Sequence, residues 1–206
     1  MKLYSFHLSG HSHRVRLFLS ILGIAHETIE VDVKARQQKS SEHLKLNPFG
    51  QVPVLVDGDE IIPDSTAILV YLAKKYGATR WLPEAAAPAT AVQRWLSVAS
   101  GEIAFGPAAA RSIVLFNAPR DPKEVIARAH AALDVIDKAL IGRSWIAADN
   151  PTIADLALYS YIANAPEGNV DLGGYAQIGA WLRRVEGLPG FVPFKTMPVG
   201  LRAVSV

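Results

Sequence analysis

The stretch Leu46-Asn-Pro-Phe-Gly-Gln-Val-Pro-Val-Leu-Val56, continued by Asp57-Gly58 and Asp64-Ser65, constrains the fold more than any other part of this chain. Proline has no N–H to give to a ladder, so Pro53 belongs just before a strand rather than inside one. Val54–Val56 and Glu60–Ile62 then read as short strands joined across Asp57-Gly58, a hairpin signal. Asp64 or Ser65 caps a helix whose inward face includes Ile68, Tyr71 and Leu72. A proline before the strand exposes the N–H and C=O of Val52 to a ligand, and a helix N-terminus attracts a carboxylate. Together these features suit a small peptide, held by its backbone at one end and by its carboxylate at the other.

The rest of the first half completes an α/β unit. Leu3–Phe6 reads as a strand and Ser9-Gly10-His11-Ser12 as a loop. Val15, Phe18, Leu19 and Leu22 recur at helical spacing, and Gly23 stands where a helix C′ glycine belongs. Residues 27–33 alternate, with Ile29, Val31 and Val33 on one face, which predicts a half-buried strand. Strand, helix and strand make a crossover, as a parallel pair requires. A short helix fits near Ser41–Leu46. The order β-α-β then β-β-α ends near Gly77, and residues 78–88 read as a linker.

Residues 89–206 read as all-helical. Val92, Trp95, Leu96, Ala99 and Ile103 mark one long helix, bent at Gly106-Pro107. Val125–Ile141 forms another, ended by Gly142. Thr152-Ile-Ala-Asp155 is a capping box, with Asp in place of the usual Glu or Gln, before Leu156–Ile162. Trp181, Leu182 and Val185 mark a last helix, stopped by Gly187 and Pro189. Trp95 and Trp181 lie on apolar stripes and belong to the core.

Composition excludes several functions. Half of the 206 residues are apolar, which is enough for a core in one domain or two small ones. The net charge is only +2, and no basic stripe for nucleic acid is visible. No apolar run approaches the ~18 residues of a membrane span, and the first residues do not read as a signal peptide. There is no cysteine, so disulfides, thiolate metal sites and a protein-thiol nucleophile are excluded. This fits a cytoplasmic protein. His11 and His13, two apart in a loop, are weak evidence for a metal, and no metal is expected.

Taken in order, these motifs resemble the cytosolic glutathione transferase family. In the first half the likeness rests on Asn47-Pro48-Phe49-Gly50-Gln51-Val52-Pro53-Val54-Leu55 and on Asp64-Ser65 with Ala67-Ile68 and Tyr71-Leu72-Ala73. In the second half it rests on Thr152-Ile153-Ala154-Asp155 and on Trp181-Leu182, Arg184 and Pro189. The resemblance implies a thioredoxin-like N-terminal domain over residues 1–77, an all-α C-terminal domain over 89–206, and a homodimer with glutathione as co-substrate in a cleft between the domains. It implies a cis Val52-Pro53 bond, with the Val52 backbone paired to the cysteinyl part of glutathione. Ser65 would receive the γ-glutamyl carboxylate and Asp64 the ammonium, although the family more often has Glu or Gln there. Gln51 and Lys39 would reach the glycine carboxylate.

The stretch Ser9-Gly10-His11-Ser12-His13-Arg14-Val15-Arg16 is similar to the zeta-class pattern Ser-Ser-Cys-Ser-Trp-Arg-Val-Arg. Aligned without a gap, Ser9 falls on the first serine, the thiolate partner, with Ser12 as the alternative. Gly10 replaces the second serine and His11 the cysteine. A hydroxyl donating to sulfur stabilises the thiolate over the thiol. His11 lines the electrophile pocket or helps hold the thiolate, and that pocket is expected from the first loop and the helix around Phe105. The function implied is conjugation of glutathione to a small apolar electrophile. The rivals are a glutathione-dependent peroxidase, disulfide reductase or isomerase, and a non-catalytic glutathione- or ligand-binding protein on the same fold.

Overall fold

Four short strands make one mixed sheet in a computed structural model that describes residues 1–77 and 79–203. They are β1 (Lys2–Ser5), β2 (Glu27–Glu30), β3 (Val54–Asp57) and β4 (Glu60–Pro63), in the order β2-β1-β3-β4. β1 runs parallel to β2 and antiparallel to β3, with Leu3 opposite both Thr28 and Leu55. The parallel pair is bridged by α1 (Gly10–Ile21), and Gly23 follows it at φ +66°, as a C′ glycine should. The strand expected over 27–33 is shorter. Val31 N still donates to Ser5 O, but Asp32 then turns the chain. Its carboxylate accepts from Ala35 N, and its own N–H goes to the Gln37 side chain.

The hairpin is tight. Asp57 pairs with Glu60, and Gly58, at φ +63°, fills the first of two loop positions. α2 (Ser41–Leu46) precedes β3, and α3 (Ser65–Lys75) follows β4 with Asp64 as its N-cap.

Six further α-helices follow among the described residues: α4 (Ala86–Ser100), α5 (Glu102–Phe105), α6 (Pro107–Phe116), α7 (Pro122–Ala139), α8 (Ile153–Ala163) and α9 (Ala176–Glu186). α4 opens at Ala86, inside the stretch read as a linker. Trp81 in that stretch is buried edge-on against Phe18, and its carbonyl accepts from Ile153 N. The single long helix expected over Val92–Ile103 is broken at Gly101 and again at Gly106. A Cβ on Gly106 would lie 2.8–2.9 Å from Glu102 O and the Ala129 backbone, so the second break is where α7 packs closest.

α8 is the central helix of this half, buried from Ile153 to Ile162. Its capping box forms as the sequence predicts. Asp155, fully buried, accepts from Thr152 N and Oγ1, Ile146 N and Trp181 Nε1. Burial pushes its carboxyl up from the usual range while those four donors oppose the shift. α8 also packs on α1. α3 packs on α1 as well, and Ser12, His13 and Arg14 are buried along the helix with its apolar residues.

Candidate functional site

A cavity of about 640 Å³ opens between the two halves. One wall comes from the loop before α1, the loop before β3 and the start of α3. The other comes from α6 and α8.

Ser9 lies in the first wall. It is the N-cap of α1, with Oγ accepting from Ser12 N at 3.2 Å. Capping uses a lone pair of the hydroxyl and leaves its proton free to donate into the cavity. The positive end of a 12-residue helix lies at the same point. Ser12, the alternative thiolate partner, is fully buried, and its Oγ accepts from Phe6 N. His13 faces the other way: Nε2 donates to Val192 O, which leaves Nδ1 to accept from the Ser160 hydroxyl. Burial lowers its pKa to about 4, so it is neutral. His11 and His13 therefore do not converge.

The Val52-Pro53 bond is cis, and Val52 makes no backbone hydrogen bond with any described residue. The loop is held by its neighbours: Gln51 O accepts from His43 Nε2 and Asn47 Nδ2, both at 3.0 Å. Gln51 itself is exposed and lines the cavity. Lys39 lies over Gly50 with Nζ donating to Phe49 O at 2.8 Å, so its charge is at the rim and already engaged. Gln38 lines the cavity as well, with its side-chain oxygen buried and unpartnered. No local motif marks Gln38 as part of the site.

Asp64 and Ser65 divide the roles at α3. Asp64 Oδ1 accepts from Thr66 N, Thr66 Oγ1 and Ala67 N, so Asp64 is the cap. Partial burial pushes its carboxyl up, but the bonds from Thr66 and Ala67 outweigh it and hold it below the usual range. Ser65 Oγ lies 3.3 Å from both Arg14 Nη1 and His11 Nδ1. His11 is held neutral, its pKa lowered to about 3 by burial and then by Arg14.

The second wall is Ala108, Arg111, Ser112 and Phe116 of α6 with Tyr161 of α8. The wall expected from the helix around Phe105 comes from the next helix, α6; Phe105 itself is 48% exposed and stacks under Arg128 in a separate recess. Arg111 ties the walls together. Its Nη1 donates to Leu8 O at 2.7 Å, and its Nε pairs with buried Glu167 at 2.6 Å.

The chain has counterparts among known proteins. Residues 1–74 match the family described as glutathione S-transferase, N-terminal domain, and residues 101–189 match glutathione S-transferase, C-terminal domain. The chain belongs to the cytosolic glutathione S-transferase family. Glutathione S-transferase 3 of Zea mays is 34% identical over 205 residues, covering 93% of this chain and 91% of that protein. A glutathione S-transferase from Pseudomonas fluorescens superposes with a TM-score of 0.88 at 32% identity, over 94% of this chain and 98% of that one. A glutathione transferase homologue of Drosophila mojavensis with bound glutathione gives 0.85 at 31% identity, over 91% and 88%.

Likeness to a zeta-class transferase of Euphorbia esula is higher, 46%, but covers only 83 residues, 40% of this chain and 37% of that protein. Within the first loop this transferase departs from the zeta pattern for a steric reason. A Cβ on Gly10 would lie 2.7 Å from the phenol end of Tyr161, so the second serine of that pattern has no room here. Tyr161 also meets the His11 ring edge-on at 5.0 Å. Neither contact was legible beforehand, because about 150 residues separate the partners. Among the described residues no cluster of three His, Cys, Asp or Glu side chains could hold a metal.

Proposed function

We propose that this transferase binds glutathione in the cavity, stabilises its thiolate with the Ser9 hydroxyl, and adds it to a small apolar electrophile. The observation that carries this reading is the unspent proton of Ser9. The hydroxyl accepts from Ser12 N, so a donor remains at the cavity edge beside a helix N-terminus. A donor placed there favours S⁻ over SH.

The remaining contacts follow by chemistry. The free backbone of Val52, beside Pro53, takes the cysteinyl amide as one more strand partner. Asp64 takes the γ-glutamyl ammonium, and Ser65 with the α3 N-terminus takes the carboxylate. Gln51 meets the glycine carboxylate; Lys39 reaches it only by leaving Phe49 O. The electrophile sits against Leu8, Ala108, Phe116 and Tyr161. With no cysteine, the carbon–sulfur bond forms on glutathione's own sulfur and the leaving group departs from the electrophile. The reading also takes the chain to be a cytoplasmic homodimer with domains 1–77 and 89–206, which its family membership supports.

The test is product analysis with glutathione and a panel of electrophiles and peroxides. A thioether, with one glutathione consumed per electrophile, is the expected product. Oxidised glutathione as the sole product would replace conjugation by a redox function, and an isomerised substrate with no net loss of glutathione by isomerase chemistry. Tight binding with no turnover would leave a carrier.

A further inference from the structure

Arg14 has no part in the scheme above, yet its position is unusual. It is wholly buried on α1. Nη1 reaches Ser65 Oγ, while Nε and Nη2 meet no hydrogen-bond partner among the described residues. No carboxylate lies within ion-pair distance among the described residues. Burial lowers its pKa to about 10, with Tyr161 and Asp64 opposing the shift through space, so it stays charged at neutral pH. Buried charges in proteins are normally paired, because desolvation otherwise goes uncompensated.

The surroundings indicate what would compensate it. A guanidinium only donates, so a lone pair of Ser65 Oγ faces Arg14 and the single Ser65 proton points away. The nearest acceptor for that proton is the neutral His11 Nδ1. An arriving carboxylate is a stronger acceptor and takes the proton. Ser65 is also the first residue of α3, whose N-terminus favours an anion. Asp64 stands beside it with Oδ2 unused, all its hydrogen bonds being made by Oδ1. One fixed cation behind Ser65 and one carboxylate oxygen at the mouth match the two charges of an α-amino acid group.

We propose that Arg14 is a positioning residue for the carboxylate of an α-amino acid group docked at the start of α3. It turns Ser65 into an obligatory donor and receives from the ligand a counter-charge beyond the longer-range one of Asp64, since no described carboxylate makes an ion pair with it. The assignment rests on the glutathione reading, in which the γ-glutamyl end supplies that group.

The experiment compares glutathione with an analogue carrying 4-aminobutyryl in place of γ-glutamyl, which keeps the amine and lacks the carboxylate. Calorimetry gives both affinities for the wild type and for Arg14→Met, Arg14→Gln and Arg14→Lys, and thermal melts are taken without ligand. Wild type should prefer glutathione by about tenfold or more, the scale of a hydrogen bond to a charged group. In Arg14→Met and Arg14→Gln the two ligands should bind within about threefold of each other, while Arg14→Lys keeps more of the preference. Unliganded Arg14→Met should melt no lower than wild type, because an unpaired buried charge has been removed. A purely structural arginine would give the reverse: a lower melt and an intact preference. Should Arg14→Met fail to fold, Gln against Lys decides, and equal preference in those two overturns the assignment. Wild type that binds neither ligand overturns the glutathione reading and Arg14 with it. Wild type that binds glutathione with a preference independent of residue 14 overturns Arg14 alone.

Discussion

Replacing Ser9 by alanine and, separately, by glycine separates two jobs done by one hydroxyl. Its lone pair caps α1 through Ser12 N, and its proton is assigned to the glutathione sulfur. Both substitutions remove the proton. A hydrogen bond to a charged group is worth about 1.5–3 kcal/mol. At about 1.4 kcal/mol per pKa unit, the thiol pKa of bound glutathione should rise by about one to two units in both variants. The cap behaves differently. Alanine at an N-cap costs about 1 kcal/mol, whereas glycine costs only a few tenths. In a chain of this size about 1 kcal/mol lowers Tm by about 2–4 °C. Ser9→Ala should therefore melt a few degrees below Ser9→Gly while sharing its thiol pKa. The assay is thiolate ultraviolet absorbance of the complex against pH, paired with thermal melts. Lower melting of Ser9→Ala with an unshifted thiol pKa in both variants would refute the reasoning. The hydroxyl would then be a cap alone, and the thiolate would be held by the backbone at the start of α1.

Ser65→Ala should weaken glutathione binding at least several-fold by calorimetry; it should also cost about 1–3 kcal/mol in stability, not through the side-chain cap, which Asp64 makes, but because buried Arg14 Nη1 loses its acceptor. Gly10→Ala places a methyl 2.7 Å from the Tyr161 ring and should cost about 1–3 kcal/mol in denaturant unfolding; a Tyr161→Ala background should relieve part of that loss. Asp155→Ala strands buried donors on Ile146, Thr152 and Trp181 and should cost about 3–5 kcal/mol, the range for breaking a buried charged network, with most soluble expression lost. His11 and His13, with pKa values lowered to about 3 and about 4, are neutral when folded and titrate near 6.5 when unfolded. Their contribution to stability is therefore full above pH ~6.5 and lost as pH falls toward 4, by up to about tenfold in the folding constant per pH unit for each. His13→Gln should flatten that slope in melts between pH 7 and 4, and an unchanged slope would show that other groups set it.

The sequence by itself determined whatever depends on neighbours along the chain. The hairpin at Gly58, the caps at Asp64 and Thr152, the stop at Gly23 and the helix at Ser41–Leu46 all follow from residues a few positions apart, and all are present. So is the proline-led strand, because a residue without an N–H leaves few places to put it. The same locality made half of the cavity legible, since Ser9, Gln51, Val52, Asp64 and Ser65 lie in or beside these signals. Tertiary structure decided the other half. The breaks at Gly101 and Gly106 divide what the sequence reads as one bent helix into α4, α5 and α6, and the wall falls to Ala108, Arg111, Ser112 and Phe116 of the last. Arg14 flanks Val15 on a helix whose apolar period does not include it, and the packing of α3 and α8 on α1 buries it. Tyr161 against Gly10 and Arg111 on Leu8 O join residues 100 or more positions apart. Helical period and capping chemistry act over one or two turns, whereas which faces meet across the molecule is fixed by close packing of whole helices, and no local pattern encodes that.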